Sequence, residues 1–153
     1  MTQPASEPPM AGASLPMAPE WTVSRWFNAG GAPTLQSLRG RVVFLHAFQM
    51  LCPACVQHAV PQSLKVAAAF ASTDLAVVGL HSVFEHHAVM GPDALQVYLH
   101  ENRIGYPVGV DAHRDGDPAA HPLPLTMQDV VVIFVTVTGQ RDGRLMQDTY
   151  AKK

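Results

Sequence analysis

The sequence predicts an α/β fold with a mixed central sheet flanked by helices. Three apolar runs, at residues 41–47, 75–81 and 106–110, have the character of strands, and helical patterns separate them along the chain. Strands that alternate with helices need crossover connections, which make a sheet at least partly parallel. A fourth strong run at 130–137 is followed by a turn and by residues 144–150, which can return antiparallel.

The first elements of the domain can be assigned from local pattern. Alternating apolar and polar residues at 21–27 predict a short edge strand, and a turn at 28–31 closes it. Residues 34–38 are typical of a single helical turn. The run at 41–47 is β-branched and aromatic throughout, which indicates a strand buried on both faces.

Two helices are predicted between the strands. Apolar residues recur every three to four positions across 53–68, and the first proline, Pro53, lies where its missing N–H costs nothing. Pro61 lies inside this helix and should kink it. A second helix is predicted at 92–101, and residues 111–124 form a loop rich in Asp, Gly, His and Pro.

Length and composition indicate one domain without a nucleic-acid partner. At 153 residues and 48% apolar composition, the chain can bury one ordinary core. The net charge of −2 and the pI near 6.4 provide no basic field for a polyanion. We therefore expect no nucleic-acid partner.

The first twenty residues differ from the rest. Residues 1–20 contain five prolines and no uninterrupted apolar run, so they predict a flexible leader before a domain at 21–153. Such a segment forms neither a signal peptide core nor a membrane span. We expect a soluble, cytoplasmic protein without a membrane partner. In a reducing compartment, two cysteines indicate catalysis or metal binding rather than a structural disulfide.

The chemistry is expected at Cys52-Pro53-Ala54-Cys55, which holds the only two cysteines in the chain. A strand that delivers this motif to a helix start places the leading sulfur among free backbone N–H groups, at the positive end of the helix dipole. A thiolate is stabilised there, and Cys55, one turn later, is placed to resolve a mixed disulfide. The motif predicts a redox-active pair with Cys52 as the nucleophile.

A zinc site is the competing interpretation of the cysteines. Zinc usually takes four ligands, and the chain has no second C-x-x-C; His58 is a candidate third ligand, with another histidine as the fourth. The predicted strand-to-helix placement favours redox chemistry, and we expect no bound metal. Haem attachment is not indicated, because Val56 rather than a histidine follows Cys55.

Several histidines and one carboxylate follow predicted strands. His81, Glu85, His86 and His87 come at the carboxyl end of the second buried strand, where open α/β sheets build sites. A ligand or proton-transfer role competes here with a solvated loop, which is the favoured interpretation because adjacent histidines point in different directions. His46 ends the first buried strand and can approach Cys52, or can be a core histidine bonded to backbone.

The chain resembles the thioredoxin-like superfamily, specifically the redoxin and TlpA-like thiol-disulfide oxidoreductases. Residues 38–45, LRGRVVFL, resemble the strand entry of that family, and 48–55, FQMLCPAC, resemble its active-site segment. The segments at 81–87, 106–111 and 124–127 resemble later family blocks. The similarity covers roughly residues 20–127.

This resemblance implies a thioredoxin-like fold and a thiol-disulfide oxidoreductase without a bound cofactor. Cys52 would attack a protein or small-molecule disulfide, Cys55 would resolve the mixed disulfide, and another dithiol would supply electrons. Glu85 is a candidate for the acid-base partner that many members keep near the resolving cysteine. A non-enzymatic redox-sensing or metal-binding interaction module is the alternative.

Two departures from related patterns have consequences. The family carries a cis proline that faces the dithiol, yet no proline follows Pro124, and the corresponding place lies near 132–134. We expect the docking edge for a polypeptide partner to be weakened. A peroxidase is less well matched, because Gln49 stands where a peroxidatic cysteine has a hydroxyl residue three positions before it.

Overall fold

Four strands form one mixed sheet in the computed structural model, which describes residues 20–121 together with Ala18, Pro124 and Leu125. The strands are β1 Val23–Phe27, β2 Val42–Phe48, β3 Leu75–His81 and β4 Val108–Asp111. Their spatial order is β1-β4-β3-β2, with β2, β3 and β4 parallel and β1 antiparallel to β4. The predicted mixed α/β sheet is confirmed.

The helical elements follow the predicted order with one difference. Helix α1 spans Val60–Ala69 and helix α2 spans Pro92–Glu101, but a π-helical stretch, Cys55–Ala59, precedes α1. The Val60 N–H donates to the carbonyl of Cys55, five residues back. Because Pro61 has no N–H, the backbone widens by one residue just before it, and the expected kink takes the form of a π turn. Short 3₁₀ turns occur at His87–Val89 and Arg114–Gly116.

Strand β4 starts later than predicted because of a proline. Pro107 cannot donate to a sheet ladder, although its carbonyl accepts a hydrogen bond of 2.9 Å from the Gly79 N–H. The strand therefore begins at Val108 rather than at residue 106.

The two faces of the sheet carry separate cores, because successive side chains of a strand point to opposite sides. The helix-side core contains strand residues such as Phe48, Val77 and Val108 with Leu95 and Leu99 of α2. The second core is smaller and joins alternate residues of β2 and β3 to an N-terminal segment. Its buried members are Leu38, Val43, Leu45, Val78 and Leu80, and Trp21 and Trp26 pack against them.

Gly109 allows β1 and β4 to pack closely. A Cβ at this position would lie 2.8 Å from Cγ2 and 2.9 Å from Cγ1 of Val23, and 3.1 Å from the Trp26 ring. Contacts below 3.0 Å are repulsive, so any larger residue would displace the Val23 side chain from β4.

The predicted domain boundary and the predicted C-terminal strands lie at or beyond the ends of the described part. Glu20, at the predicted domain boundary, accepts hydrogen bonds of 2.8 Å and 3.0 Å from the backbone N–H groups of Leu35 and Gln36. The boundary itself stays a prediction, since residues 1–17 lie outside the described part, as do the strand at 130–137 and its returning segment at 144–150. Within the described residues, no helix is long and apolar enough to cross a membrane.

Candidate active site

The C-x-x-C motif connects the sheet to the first helix. Strand β2 ends at Phe48, and a tight turn follows in which the Cys52 N–H donates to the Gln49 carbonyl at 3.0 Å. The helical backbone starts at Pro53, and the Val56 N–H reaches the Cys52 carbonyl at 3.0 Å. Cys52 therefore occupies the position immediately before the first helical residue, where backbone N–H groups lack partners within the helix.

The two cysteines are free and approach each other to 3.3 Å. The backbone N–H of Cys55 lowers the pKa of the Cys52 thiol, and the Cys55 thiol lowers it further by donating to the same sulfur. Partial burial and the negative charge of Glu85 oppose these effects without cancelling them. Cys52 is thus the sulfur on which a thiolate is stabilised.

Cys55 has the opposite character. Burial raises the pKa of its thiol, and the neighbouring Cys52 raises it further, although the backbone N–H of Gln49 acts in the other direction. Its side chain packs against the helix-side core. The pair therefore consists of one sulfur that ionises readily and a second, protonated sulfur in contact with it.

Gln49 connects the turn before Cys52 to the loop after β3. Its side chain is 1% exposed. Its Oε1 accepts hydrogen bonds from the backbone N–H groups of Phe84 at 3.1 Å and Glu85 at 3.3 Å. Its Nε2 donates to Oε1 of Glu85 at 3.2 Å. The exposed carboxylate of Glu85 is thereby held within electrostatic reach of Cys52.

The role of Gln49 is one that the sequence analysis missed. There it served only as a mismatch to the peroxidase pattern, whereas its amide is directed at residues 84–85. A polar residue enclosed by Phe48 and Met50, both buried, was the available signal. A buried amide needs hydrogen-bond partners, so its presence indicated a nearby loop.

His46 and His81 lie behind Phe48 in the sheet. The His46 ring stacks on Phe48 with centroids 5.1 Å apart, and the centroid of the His81 ring lies 5.5 Å from that of Phe48. Among the described residues, neither ring has a hydrogen-bond partner, unlike the backbone-bonded histidine considered for His46. Burial lowers both pKa values to about 4.

The histidines around the end of β3 differ in burial. His81 is buried at the end of the strand, so the interpretation of a solvated loop is wrong for it. His86 is exposed, and His87 is half-buried with its ring edge against His113 at 5.2 Å. His58 is exposed on the π-helical stretch. The described residues include no group of three or more His, Cys, Asp or Glu side chains placed to bind a metal ion.

Three exposed apolar side chains belong to the motif segment and to the loop after β3. Leu51 immediately precedes it and is 56% exposed, and Val56, one turn later, is 37% exposed. Phe84, next to Glu85, is also exposed. These side chains expose carbon surface at the motif and at the loop after β3.

Comparison with solved structures identifies similar proteins. The chain is 49% identical to a thioredoxin-like superfamily protein, with a TM-score of 0.69 over 74% of this chain and 70% of that chain. It is 45% identical to a thiol-disulfide isomerase from Corynebacterium glutamicum, with a TM-score of 0.68 and the same shares covered. No protein-family model matches the chain, and no curated protein sequence matches it significantly.

Proposed function

Because the chain belongs to the thioredoxin-like superfamily, we propose that it is a thiol-disulfide oxidoreductase whose reactive groups are Cys52 and Cys55. The observation that carries the proposal is the asymmetry of the pair. Two free sulfurs lie in contact, and the pKa of Cys52 is lowered while that of Cys55 is raised. The similarity to a thiol-disulfide isomerase supports the same chemistry.

The reaction proceeds by two exchanges. The Cys52 thiolate attacks one sulfur of a substrate disulfide, forms a mixed disulfide, and releases the other sulfur as a thiolate that takes up a proton. Cys55 then loses its proton and attacks the Cys52 sulfur. The bond to the substrate breaks, its sulfur takes up a proton, and the enzyme is left with a Cys52–Cys55 disulfide. A second dithiol, from a protein or a small molecule, returns two electrons and two protons.

Glu85 is proposed as the group that exchanges protons with the sulfur pair. Gln49 holds its carboxylate by a hydrogen bond, and its charge acts on Cys52. Removing that charge in Glu85→Gln should shift the alkylation profile of Cys52 to lower pH, because the carboxylate raises the thiol pKa. Glu101→Gln removes an exposed carboxylate from α2 and is the matched control, with an unchanged profile.

His46 and His81 are proposed to support Phe48 rather than to transfer protons. Their pKa values of about 4 keep both rings neutral near pH 7. A neutral imidazole without polar partners packs against an aromatic ring in the way an apolar side chain does.

Gln49 argues against the peroxidase alternative. Its amide bonds to residues 84–85 and supplies no hydroxyl group to Cys52.

Turnover tests the proposal. Wild type should reduce insulin or glutathione disulfide repeatedly with dithiothreitol as electron donor. Cys52→Ser should be inactive, and Cys55→Ser should accumulate a mixed disulfide on Cys52. A protein whose dithiol oxidises but never cycles would instead be a redox-sensing module. Stoichiometric zinc in the purified protein that disappears in Cys52→Ser would establish the metal-binding alternative.

A further inference from the structure

Two tyrosine hydroxyls are buried in the helix-side core without hydrogen-bond partners among the described residues. Tyr98 lies on α2, and Tyr106 lies just before β4. Buried polar atoms nearly always have a partner, so an orphaned hydroxyl calls for an explanation. One explanation is a partner that appears only in another state of the protein.

Tyr98 is the tyrosine on which the charge of Cys55 acts. Its side chain and that of Cys55 pack against the same core, and its ring centroid is 6.3 Å from that of Phe48. Burial raises the pKa of Tyr98, and the negative charge of an ionised Cys55 raises it further. Burial raises the pKa of Tyr106 to about 12; the Ser63 side chain acts in the other direction, Tyr98 adds to the increase, and Cys55 does not contribute. Tyr98 therefore stays a protonated donor at neutral pH and is sensitive to the charge on Cys55.

We propose that the Tyr98 hydroxyl donates a hydrogen bond to Sγ of Cys55 when that sulfur becomes a thiolate. This inference rests on the proposed function and concerns its second exchange. In the reduced protein the Cys55 thiol donates to Cys52. Once Cys52 is bonded to substrate, that acceptor no longer carries a charge, and Cys55 has to ionise where burial opposes it.

The Tyr98 hydroxyl would lower the free energy of the Cys55 thiolate in the second exchange. Cys55 loses its proton, its electron pair forms the bond to the Cys52 sulfur, and the bond from Cys52 to the substrate sulfur breaks with its electron pair on the substrate. Tyr98 keeps its own proton throughout. A donor aimed at the sulfur stabilises the thiolate before attack, and charge-assisted hydrogen bonds are about twice as strong as neutral ones.

In the described part of the chain, the other polar and titratable groups around the two cysteines do not supply a side-chain donor to Cys55. Glu85 acts on Cys52 from the loop after β3. His46 and His81 face Phe48 from the sheet and are neutral above their pKa values of about 4. The backbone N–H of Gln49 is the donor that already acts on Cys55. Tyr98 would add a side-chain donor on the α2 side.

The test separates the two exchanges with the aromatic disulfide 5,5′-dithiobis(2-nitrobenzoate). Attack by Cys52 releases one coloured aryl thiolate, and attack by Cys55 on the resulting mixed disulfide releases the second. In Tyr98→Phe we expect the first phase to be unchanged and the second to be about tenfold slower, from the loss of one hydrogen bond to a charged group. The pH midpoint of the second phase should rise by about one unit.

Tyr106→Phe is the control, because it removes a second buried tyrosine hydroxyl from the same core, one on which the charge of Cys55 does not act. Both phases should remain as in wild type. An unchanged second phase in Tyr98→Phe, or equal slowing in both variants, would overturn the inference while leaving the oxidoreductase function intact. A wild-type protein that shows no second phase would instead contradict the proposed function.

A measurement without a Tyr98 substitution covers the case in which Tyr98→Phe does not fold. In Cys52→Ser, the carbon-13 shift of the Tyr98 ring carbon that bears the hydroxyl should change at the pH where Cys55 ionises. The corresponding carbon of Tyr106 should show a much smaller change. A Tyr98 signal that does not respond to Cys55 ionisation would overturn the inference.

Discussion

Replacing Gln49 by methionine tests whether this buried amide holds the loop that carries Glu85. Methionine keeps the volume of the side chain and removes all three hydrogen bonds that the amide makes to Phe84 and Glu85. Two of these bonds come from backbone N–H groups that would be left without a partner, and each contributes about 1 kcal/mol. The third ends on an exposed carboxylate, which water can solvate instead.

We therefore expect Gln49→Met to lower the free energy of unfolding by about 2 kcal/mol, which corresponds to a fall in Tm of roughly 4–8 °C for a domain of this size. Urea and thermal unfolding of the reduced protein, followed by circular dichroism, would measure it. Gln62→Met makes the same chemical change at an exposed position of α1 and should stay within about 0.5 kcal/mol of wild type.

Hydrogen exchange gives a second readout that a general loss of stability would not produce. The amides of Phe84 and Glu85 should lose protection in Gln49→Met under conditions where the β3 amides remain protected. Equal stability of Gln49→Met and Gln62→Met, or retained protection at the two loop amides, would refute the reasoning that Gln49 anchors this loop.

Three further predictions follow from the fold and the site. Between pH 6.5 and about 4, the unfolded state binds protons that neutral His46 and His81 in the folded state do not, so lowering the pH should reduce stability by roughly 3 kcal/mol for each histidine. Chemical denaturation should therefore depend less on pH across this range in His81→Leu than in wild type, and an equal pH dependence in the two proteins would contradict the prediction. Gly109→Ala should destabilise by about 1–3 kcal/mol because its Cβ would overlap Val23, whereas Gly105→Ala, with open space around it, should not lose stability through a clash. No proline follows Pro124, so the docking edge for a polypeptide should be weakened and glutathione disulfide should be reduced faster than insulin. Insulin reduction at rates typical of thioredoxins would contradict this prediction.

Local pattern alone determined much of the framework. Strand β3 and helix α2 have the predicted bounds, because a β-branched run and a proline at a helix start each specify their conformation within a few residues. The same holds for Cys52 at the start of a helix. The family resemblance was also readable from the segments around the motif, and the solved structures confirm it.

Contacts between distant segments required the tertiary structure. Gln49 and Glu85 are 36 positions apart and meet because β2 and β3 pair in parallel with Phe48 opposite His81. Tyr98 and Cys55 are 43 positions apart, and both pack against the helix-side core. Sequence periodicity shows which residues share a face of one element, but it does not contain the register between strands or the placement of one helix against another. Those are decided by side-chain packing across the sheet, and that packing joins the Gln49 amide to the loop at residues 84–85 and brings Tyr98 and Cys55 into one core.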